Sequence, residues 1–581
     1  MNPKRARLFA ILAIACAFTH GLWMSWLTWG DLIIDCGREL DVAKQLSEGK
    51  FLYTDLRYWY GPLAPEFNGL LFRIFGVHLN VLYAAGIISA ALGSWLIYRT
   101  ARLLTTRVPA TFATLAFIYL CAFGHTLGNN IYNWVLPYTY AASYGMLLSL
   151  GSLFFLLRHV LKNRSRDFYH SVLLFALVGF TKVELLAAML VLHFCWVIAA
   201  LKSKRFTFRV HSAGYLLAIA IFLLVWDFEY ARAGSALFSD NLFLSGQLAS
   251  HAFFAEVMGT NNIPASLSKL GISALLLLAV VGLHRGARRI AQPGSNTERL
   301  AQLFTCMLAA WIYSLSPWEM LLRVLPAAAL IVSLVFAMKW WRSVEQTRLL
   351  ALSLLAVFAS AALARIFLNT GAYHYGFYLL PAGLIVWALL WFEWLTPLAH
   401  ASHAPRHTAL GVFIGLIFAH AAVSQHYYAF HTVSVSGPRG EIRVIDFMLD
   451  KPPGSFQQQA VEWLKKQPPN QRVLVLPQGT GLSFISGHHN AYGTFTYLPL
   501  DLSGDHNDES TLKTWSAHPP DLVVYVPQSL SEWGSQGFGL DYARTCYGWL
   551  EVHFRQAAAF GDEEHLRQTV RVFKPEAVDP K

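Results

Sequence analysis

Apolar residues run in long, nearly uninterrupted stretches from Leu8 to about Tyr428, and a mixed pattern follows. Crossing ~30 Å of hydrocarbon takes roughly 20 apolar residues in a helix. The chain supplies such stretches repeatedly, with approximate cores at 8–27, 81–100, 108–124, 138–157, 169–181, 184–201, 210–227, 268–284, 300–315, 323–338, 349–367, 376–396 and 408–425. Residues 1–428 are therefore predicted to form about thirteen transmembrane helices. The pair flanking Lys182 and Glu184 is the least regular, because a charge inside lipid costs at least ~2.5–3.5 kcal/mol. Either a tight turn falls there or one long helix carries a buried polar site. Lys4, Arg5 and Arg7 precede the first stretch as in a signal peptide, yet no small-residue cleavage site precedes Trp23, so the stretch reads as a retained span.

Residues 429–581 alternate short β-like runs, Arg472 to Pro477 and Asp521 to Val526, with helical patterns such as 456–466. That alternation predicts a small soluble α/β domain. Of the segments between spans, 28–80 and 228–267 are long, and the first is rich in aromatic and charged residues together. Its amphipathic stretches, Leu40 to Leu46 and Phe67 to Phe75, suit helices lying along the membrane interface.

Composition narrows the class. With 55% hydrophobic and 14% charged residues, a set of soluble globules is excluded. A net charge of +11 would fit a nucleic-acid binder only if it formed one basic face. Instead the cations cluster between apolar runs: Lys4/Arg5/Arg7, Arg99/Arg102/Arg107, Arg158/Lys162/Arg164/Arg166, Lys202/Lys204/Arg205/Arg209, Arg285/Arg288/Arg289, Lys339/Arg342/Arg348 and Arg406. They recur at every second loop, so all can be cytoplasmic, with a cytoplasmic N-terminus. An odd number of spans then puts the C-terminal domain on the periplasmic face of the inner membrane. Four cysteines (Cys16, Cys121, Cys195, Cys306) lie inside apolar runs, and Cys36 and Cys546 read as separate thiols. No Gly-rich phosphate loop, nucleophile elbow, HExxH or Cys/His zinc spacing occurs.

Candidate chemistry concentrates in the first loop. It reads Asp35-Cys36-Gly37-Arg38-Glu39, Glu48-Gly49-Lys50, Tyr53-Thr54-Asp55, Tyr60-Gly61-Pro62-Leu63 and Leu71-Phe72-Arg73-Ile74-Phe75-Gly76. On residue types alone, Asp31, Asp35, Arg38 and Glu39 equally suit a solvated, salt-bridged helix start. This ordered pattern resembles the first periplasmic loop of bacterial GT-C superfamily glycosyltransferases, related to the dolichyl-phosphate-mannose protein mannosyltransferases and the lipid A aminoarabinose transferase. The resemblance is dense over residues 30–80 and weaker, though collinear, through the later spans and outer domain. It implies a polytopic α-helical membrane enzyme that takes a sugar from a polyprenyl-phosphate donor to a lipid, glycan or protein acceptor. It further implies that Asp35 is catalytic, that Asp55 shapes the same cleft with Arg38 and Glu39 nearby, and that Lys182-Val183-Glu184 matches a Lys-x-Glu element at the outer end of a span. Some relatives need a divalent metal and others do not, and the sequence leaves that open.

Physical arguments add further candidates. An Arg inside an apolar run needs a polar cavity, which makes Arg365 the preferred phosphate ligand. His374, Tyr375 and Tyr378 flank the same turn, and His374 reads equally as an interface histidine. Lys182 and Glu184 have a plainer reading as a packing ion pair. Arg323 suits interfacial anchoring, and the polar turn from His125 to Trp134 suits sugar binding or mere loop composition. His488-His489 lacks a third ligand for a metal. Two other functions share the span count: a transporter or flippase, which favours broken helices at mid-membrane in two matching halves, and a polysaccharide polymerase or ligase. No internal repeat supports the first, and the early Asp loop is not usual for the second.

Overall fold

The computed structural model describes residues 3–126, 129–242, 252–290, 322–394, 419–447, 451–561 and 568–576, with isolated positions between 295 and 307 and at 417. In chain order its helical part consists of α1 (Pro3–Met24), α2 (Cys36–Ser47), α3 (Leu63–Phe75), α4 (Leu79–Leu104), α5 (Arg107–Phe117), α6 (Tyr140–Lys162), α7 (Ser165–Val178), α8 (Val183–Lys202), α9 (Phe208–Ala233), α10 (Ala252–Met258), α11 (Ile263–Ile290), α12 (Leu325–Arg342), α13 (Thr347–Leu363), α14 (Gly376–Leu379) and α15 (Pro381–Leu389). Among the described residues, eight helices are long and apolar enough to cross a membrane, and Arg107–Ala122 and Pro381–Glu393 are shorter apolar helices. The stretches expected at 300–315 and 408–425 lie largely outside the described residues. Leu8, Phe194, Phe208, Leu224 and Leu275 are exposed on these helices. Outward apolar faces of this kind are unfavourable in water and ordinary in lipid.

The question left open at Lys182 is settled by a break. Helix α7 ends at Val178, α8 begins at Val183, and the connection closes through Gly179 N–H to Ala176 O (3.1 Å) and Phe180 N–H to Leu177 O (3.1 Å).

Helix polarity sorts the charges. Helices α4, α6 and α8 start on the side of the C-terminal domain and run away from it, ending near Arg102, Lys162 and Lys202. Those remote ends are tied together, with Arg348 donating to Leu104 O (2.9 Å) and the Lys202 ammonium 3.6 Å from the Trp341 ring centre. The described cationic clusters thus gather at the end of the bundle opposite the domain, as the loop charges require.

The C-terminal part begins with a hairpin of β1 (Val433–Gly437) and β2 (Gly440–Val444). Then come α16 (Gly454–Leu464), β3 (Arg472–Leu476), α17 (Thr480–Ser486), β4 (His489–Asn490), α18 (Asp508–Ala517), β5 (Leu522–Tyr525), α19 (Arg544–His553), β6 (Phe554–Phe560) and β7 (Val570–Pro575). The sheet order is β4-β3-β5-β7-β6, with β3 parallel to β4 and β5, and β7 antiparallel to β5 and β6. Val473 and Val475 pack into one core while Leu474 and Leu476 pack into another. A strand covered on both faces reads as an unbroken apolar run, which is how 473–476 reads.

The first loop is clamped under this domain. Helix α2 is buried along nearly its whole length rather than lying at the interface as its amphipathicity suggests. Its polar side meets the domain, with Lys44 Nζ 2.9 Å from His489 Nδ1. Helix α3 does present Phe67, Leu70, Ile74 and Phe75 outward, as expected of an interfacial helix. The seam is made of backbone: Gly481 N–H donates to Leu32 O (3.1 Å), Arg443 N–H to Leu27 O (2.7 Å) and Leu79 N–H to Arg439 O (2.8 Å). A Cβ on Gly37 would sit 2.2 Å from Gly481 N, so no other residue fits there without separating the two parts.

Candidate active site

A cavity of about 990 Å³ lies where the first loop, the domain-side helix ends and the C-terminal domain meet. Its lower wall carries Phe222 and Trp226 of α9, Phe238 and Leu242 beyond it, and Phe253, Phe254 and Met258 of α10. Its polar groups come from four places: Asp35 with Trp59 and Tyr60; Tyr132 and Tyr138; Lys182 and Glu184; and Arg365 with His374 and Tyr375. An apolar wall beside a few converging polar groups is the usual form of a site for a small amphipathic ligand.

Asp35 stands immediately before α2 with φ 55°, a conformation uncommon for a residue with a Cβ. Its carboxylate is about one-third exposed at 31% and accepts from Arg38 Nη1 at 2.9 Å. Arg38 itself is buried. It donates to Tyr138 O (3.0 Å) and lies over the Trp59 and Tyr60 rings at 5.1 and 5.7 Å. The guanidinium therefore fixes where the Asp35 carboxylate points, while most of its own hydrogen-bonding capacity is used on the protein.

The second group centres on Glu184. One carboxylate oxygen accepts from Arg365 Nη1 (2.8 Å) and Tyr378 O–H (2.5 Å) and pairs with Lys182 Nζ (3.3 Å). The Lys182 ammonium also donates to Tyr138 O–H (2.7 Å) and sits within 4.7 to 5.5 Å of the ring centres of Tyr60, Tyr138, Tyr378 and Tyr375. Burial brings its pKa down to about 8, with Glu184 opposing. Arg365 stacks on Tyr375 at 4.0 Å. Two cations on one carboxylate leave a positive surplus, which suits an anion from the cavity. Each of these carboxylates is already paired with a cation, so the donor set suits an anionic ligand better than a divalent metal. Among the described residues no three His, Cys, Asp or Glu side chains gather as a metal cluster.

His374, at φ 48°, brings Nδ1 within 2.9 Å of the Tyr132 hydroxyl. Burial lowers its pKa to about 4, so at neutral pH it is an uncharged wall of the cavity. Tyr375 lines the same wall, and burial raises its pKa to about 12.

Three of the expected site residues, Arg38, Glu39 and Asp55, are not part of the cavity lining, and Arg38 reaches it only through Asp35. Glu39 points away from the cavity and accepts from Tyr58 O–H (3.1 Å), Thr139 O–H (3.3 Å) and Tyr140 N–H (3.1 Å), which ties α2 to the start of α6. Burial raises its pKa, with Arg38 opposing. Asp55 is exposed and outside the cavity lining; its carboxylate accepts from Phe51 N–H (2.8 Å) and caps its own turn. Arg323 donates to Leu368 O (3.3 Å), and His125 lies against Tyr427 and His431. Cys36 and Cys546 are separate buried thiols.

The structure also brings in residues that sequence reasoning did not select: Lys451, Gln478, Gln528 and Glu532 of the C-terminal domain line the cavity. Lys451 is held by an ion pair with Asp31. The only available signal was a repeated Pro-Gln after two apolar strands, at 477–478 and 527–528.

Fold and site together define a polytopic helical membrane protein whose external α/β domain roofs a cavity carrying a carboxylate and a cationic cluster. No protein-family profile and no curated relative matches the chain. Among solved structures it is similar to ArnT from Cupriavidus metallidurans in the apo state, with 13% identity, 98% of each chain covered and a TM-score of 0.46. The same protein bound to undecaprenyl phosphate gives 15% identity, 98% coverage of each chain and a TM-score of 0.47. The archaeal oligosaccharyltransferase AglB from Archaeoglobus fulgidus, in complex with an inhibitory peptide and a dolichol-phosphate, gives 10% identity and a TM-score of 0.44 over 89% of this chain and 69% of that one. Likenesses at this level assign neither substrate nor residue roles, and the chemistry of the site stands on its own residues.

Proposed function

We propose that this chain is a membrane glycosyltransferase that moves a sugar from a polyprenyl-phosphate donor to a lipid, glycan or protein acceptor at the outer face of the cytoplasmic membrane. Residues 1–428 form its membrane-embedded catalytic part in this reading, and 429–581 its periplasmic domain. The observation that carries it is one cavity with apolar lining that Asp35 and the Lys182–Glu184–Arg365 cluster share. The ordered motifs of residues 30–80 support the same reading.

The reaction is a direct displacement. The lipid tail lies along the apolar wall of α9 and α10, and Lys182 and Arg365 hold the phosphate. The acceptor oxygen or nitrogen forms its bond to the anomeric carbon as the bond to the phosphate oxygen breaks. Asp35 takes the acceptor's proton, and the cations stabilise the charge that develops on the departing lipid phosphate. Attack opposite the leaving group inverts the anomeric centre. Arg38 orients Asp35 and positions it without touching substrate.

A strain lacking the protein is expected to lose one defined sugar from its envelope glycolipids or glycans by mass spectrometry, and plasmid-borne protein is expected to restore it. An envelope with the same sugars in both strains would sink the reading. The pH dependence has a definite sign. An anion gains from Lys182 only while the ammonium is protonated, so once the lipid phosphate's own second ionisation near pH ~6 is complete, its affinity is expected to be level up to pH about 8 and to fall as pH rises through that value. Titrations in nanodiscs from about pH 6 to about pH 10, with Lys182→Arg as the control whose fall is displaced upward, check this.

A further inference from the structure

Strands β3 and β5 are parallel neighbours, paired as Leu476 with Tyr525, and Val526 N–H donates to Leu476 O at 2.7 Å. Each leaves the sheet through the same dipeptide, Pro477-Gln478 and Pro527-Gln528. Two carboxamides are thereby set side by side at the C-terminal ends of adjacent parallel strands, the edge of an α/β sheet where ligands commonly bind. In this chain that edge is turned toward the membrane part, and both side chains line the cavity.

The pair is built and incomplete. Gln478 Nε2 donates to Gln528 Oε1 at 2.9 Å, and the two residues are 5% and 6% exposed. Gln528 Nε2 is buried and has no hydrogen-bond partner among the described residues. A buried amide N–H without an acceptor costs free energy unless something supplies one. A pair serving only to fasten two loops would need the 2.9 Å bond and nothing more. The residue that carries this unpaired donor lines the cavity, so a small rotation of its carboxamide would let the donor meet an acceptor oxygen carried by what enters.

The charge distribution says which part of a ligand that is. The cations Lys182 and Arg365 come from the helical part, whereas the domain contributes the two neutral amides, Ser529 and the Trp533 indole, together with Glu532 and with Lys451, which is paired with Asp31. Neutral amides beside an aromatic surface suit a polyhydroxylated ring, which offers hydroxyl oxygens at its edge and C–H groups on its faces. We infer that Gln478 and Gln528 form a sugar-recognition subsite in the roof of the cavity, with Gln528 Nε2 donating to a hydroxyl or acyl oxygen of the sugar. This rests on the glycosyl-transfer reading and extends it: the membrane part binds phosphate and the C-terminal domain selects the sugar.

The test uses the full chain in nanodiscs and two sets of probes. The first compares undecaprenyl phosphate with undecaprenyl phosphate carrying glucose, mannose, N-acetylglucosamine or 4-amino-4-deoxyarabinose. The parent protein is expected to bind one sugar-bearing lipid more tightly than the bare lipid phosphate, and Gln528→Ala to lose about tenfold of that preference. Affinity for the bare lipid phosphate should be unchanged. The second set is an array of lipid-free glycans; loss of glycan binding in Gln528→Ala with donor binding intact places the acceptor's sugar at the amides instead. Gln528→Glu, which keeps the shape and replaces the donor by an acceptor, should behave as Gln528→Ala does and guards against a folding defect. Unchanged sugar discrimination in both arms overturns the subsite while leaving the transfer reading intact. If the parent protein binds neither the bare nor any sugar-bearing lipid phosphate in the same nanodiscs, the transfer reading has failed, and the subsite with it.

Discussion

Asp35→Asn is expected to lower sugar transfer by roughly 10²–10⁴-fold, the usual contribution of a positioned general base, while leaving undecaprenyl phosphate binding within about threefold. The substitution isolates the proton-accepting role because little else changes. Position 35 has φ 55°, which Asn tolerates better than most residues with a Cβ, so the backbone is not newly strained. Arg38 loses one partner and keeps Tyr138 O and the Trp59 and Tyr60 rings, so the loop stays in place. Radiolabelled transfer with purified protein, alongside lipid binding, checks both halves. Transfer by Asp35→Asn within a few-fold of the parent would show that the proton goes elsewhere.

Arg365→Ala has the second large expectation, a loss of about 1.5–3 kcal/mol in lipid-phosphate affinity, or roughly 10–150-fold, from removing a charged donor to the phosphate. Removing one member of a buried ion pair is usually costly because its partner is left unpaired. Here Glu184 keeps Lys182 at 3.3 Å and Tyr378 at 2.5 Å, so the effect should fall on binding more than on folding. Arg365→Lys should recover only part of the loss, since an ammonium cannot present two parallel N–H groups to a phosphate. An unchanged Kd in Arg365→Ala would remove this residue from the phosphate site.

Among the described residues, hydropathy located eight long and two shorter apolar helices of the thirteen stretches expected, because lipid imposes a length and a composition on every span, and these are local properties. An irregularity at Lys182 and Glu184 was legible for the same reason, but the choice between a break and a buried polar site in one long helix was not. Arg365 was legible singly, as a charge inside an apolar run. Its partner was not, because Glu184 lies 181 positions away and nothing local records that contact. Glu39 and Asp55 show the opposite limit. Both are acidic residues of the expected motif, yet one is spent on Tyr58 and Tyr140 and the other on Phe51. Residue type placed them in the loop, but the direction of each side chain follows from packing. The domain residues were hidden further, since glutamines are rarely read as chemistry and only the pairing of β3 with β5 brings Gln478 and Gln528 together.

The contact of Gly37 with Gly481 has a consequence for biosynthesis. The loop that holds Asp35 is synthesised before the helices α3 to α15, and the surface that covers it after them. During that interval Leu32 O and the flank of α2 have no cover, and every intervening helix must insert before they gain one. A nascent chain arrested before Gly481 would lack the roof of the cavity, so the cavity takes its final form only when the C-terminal domain docks.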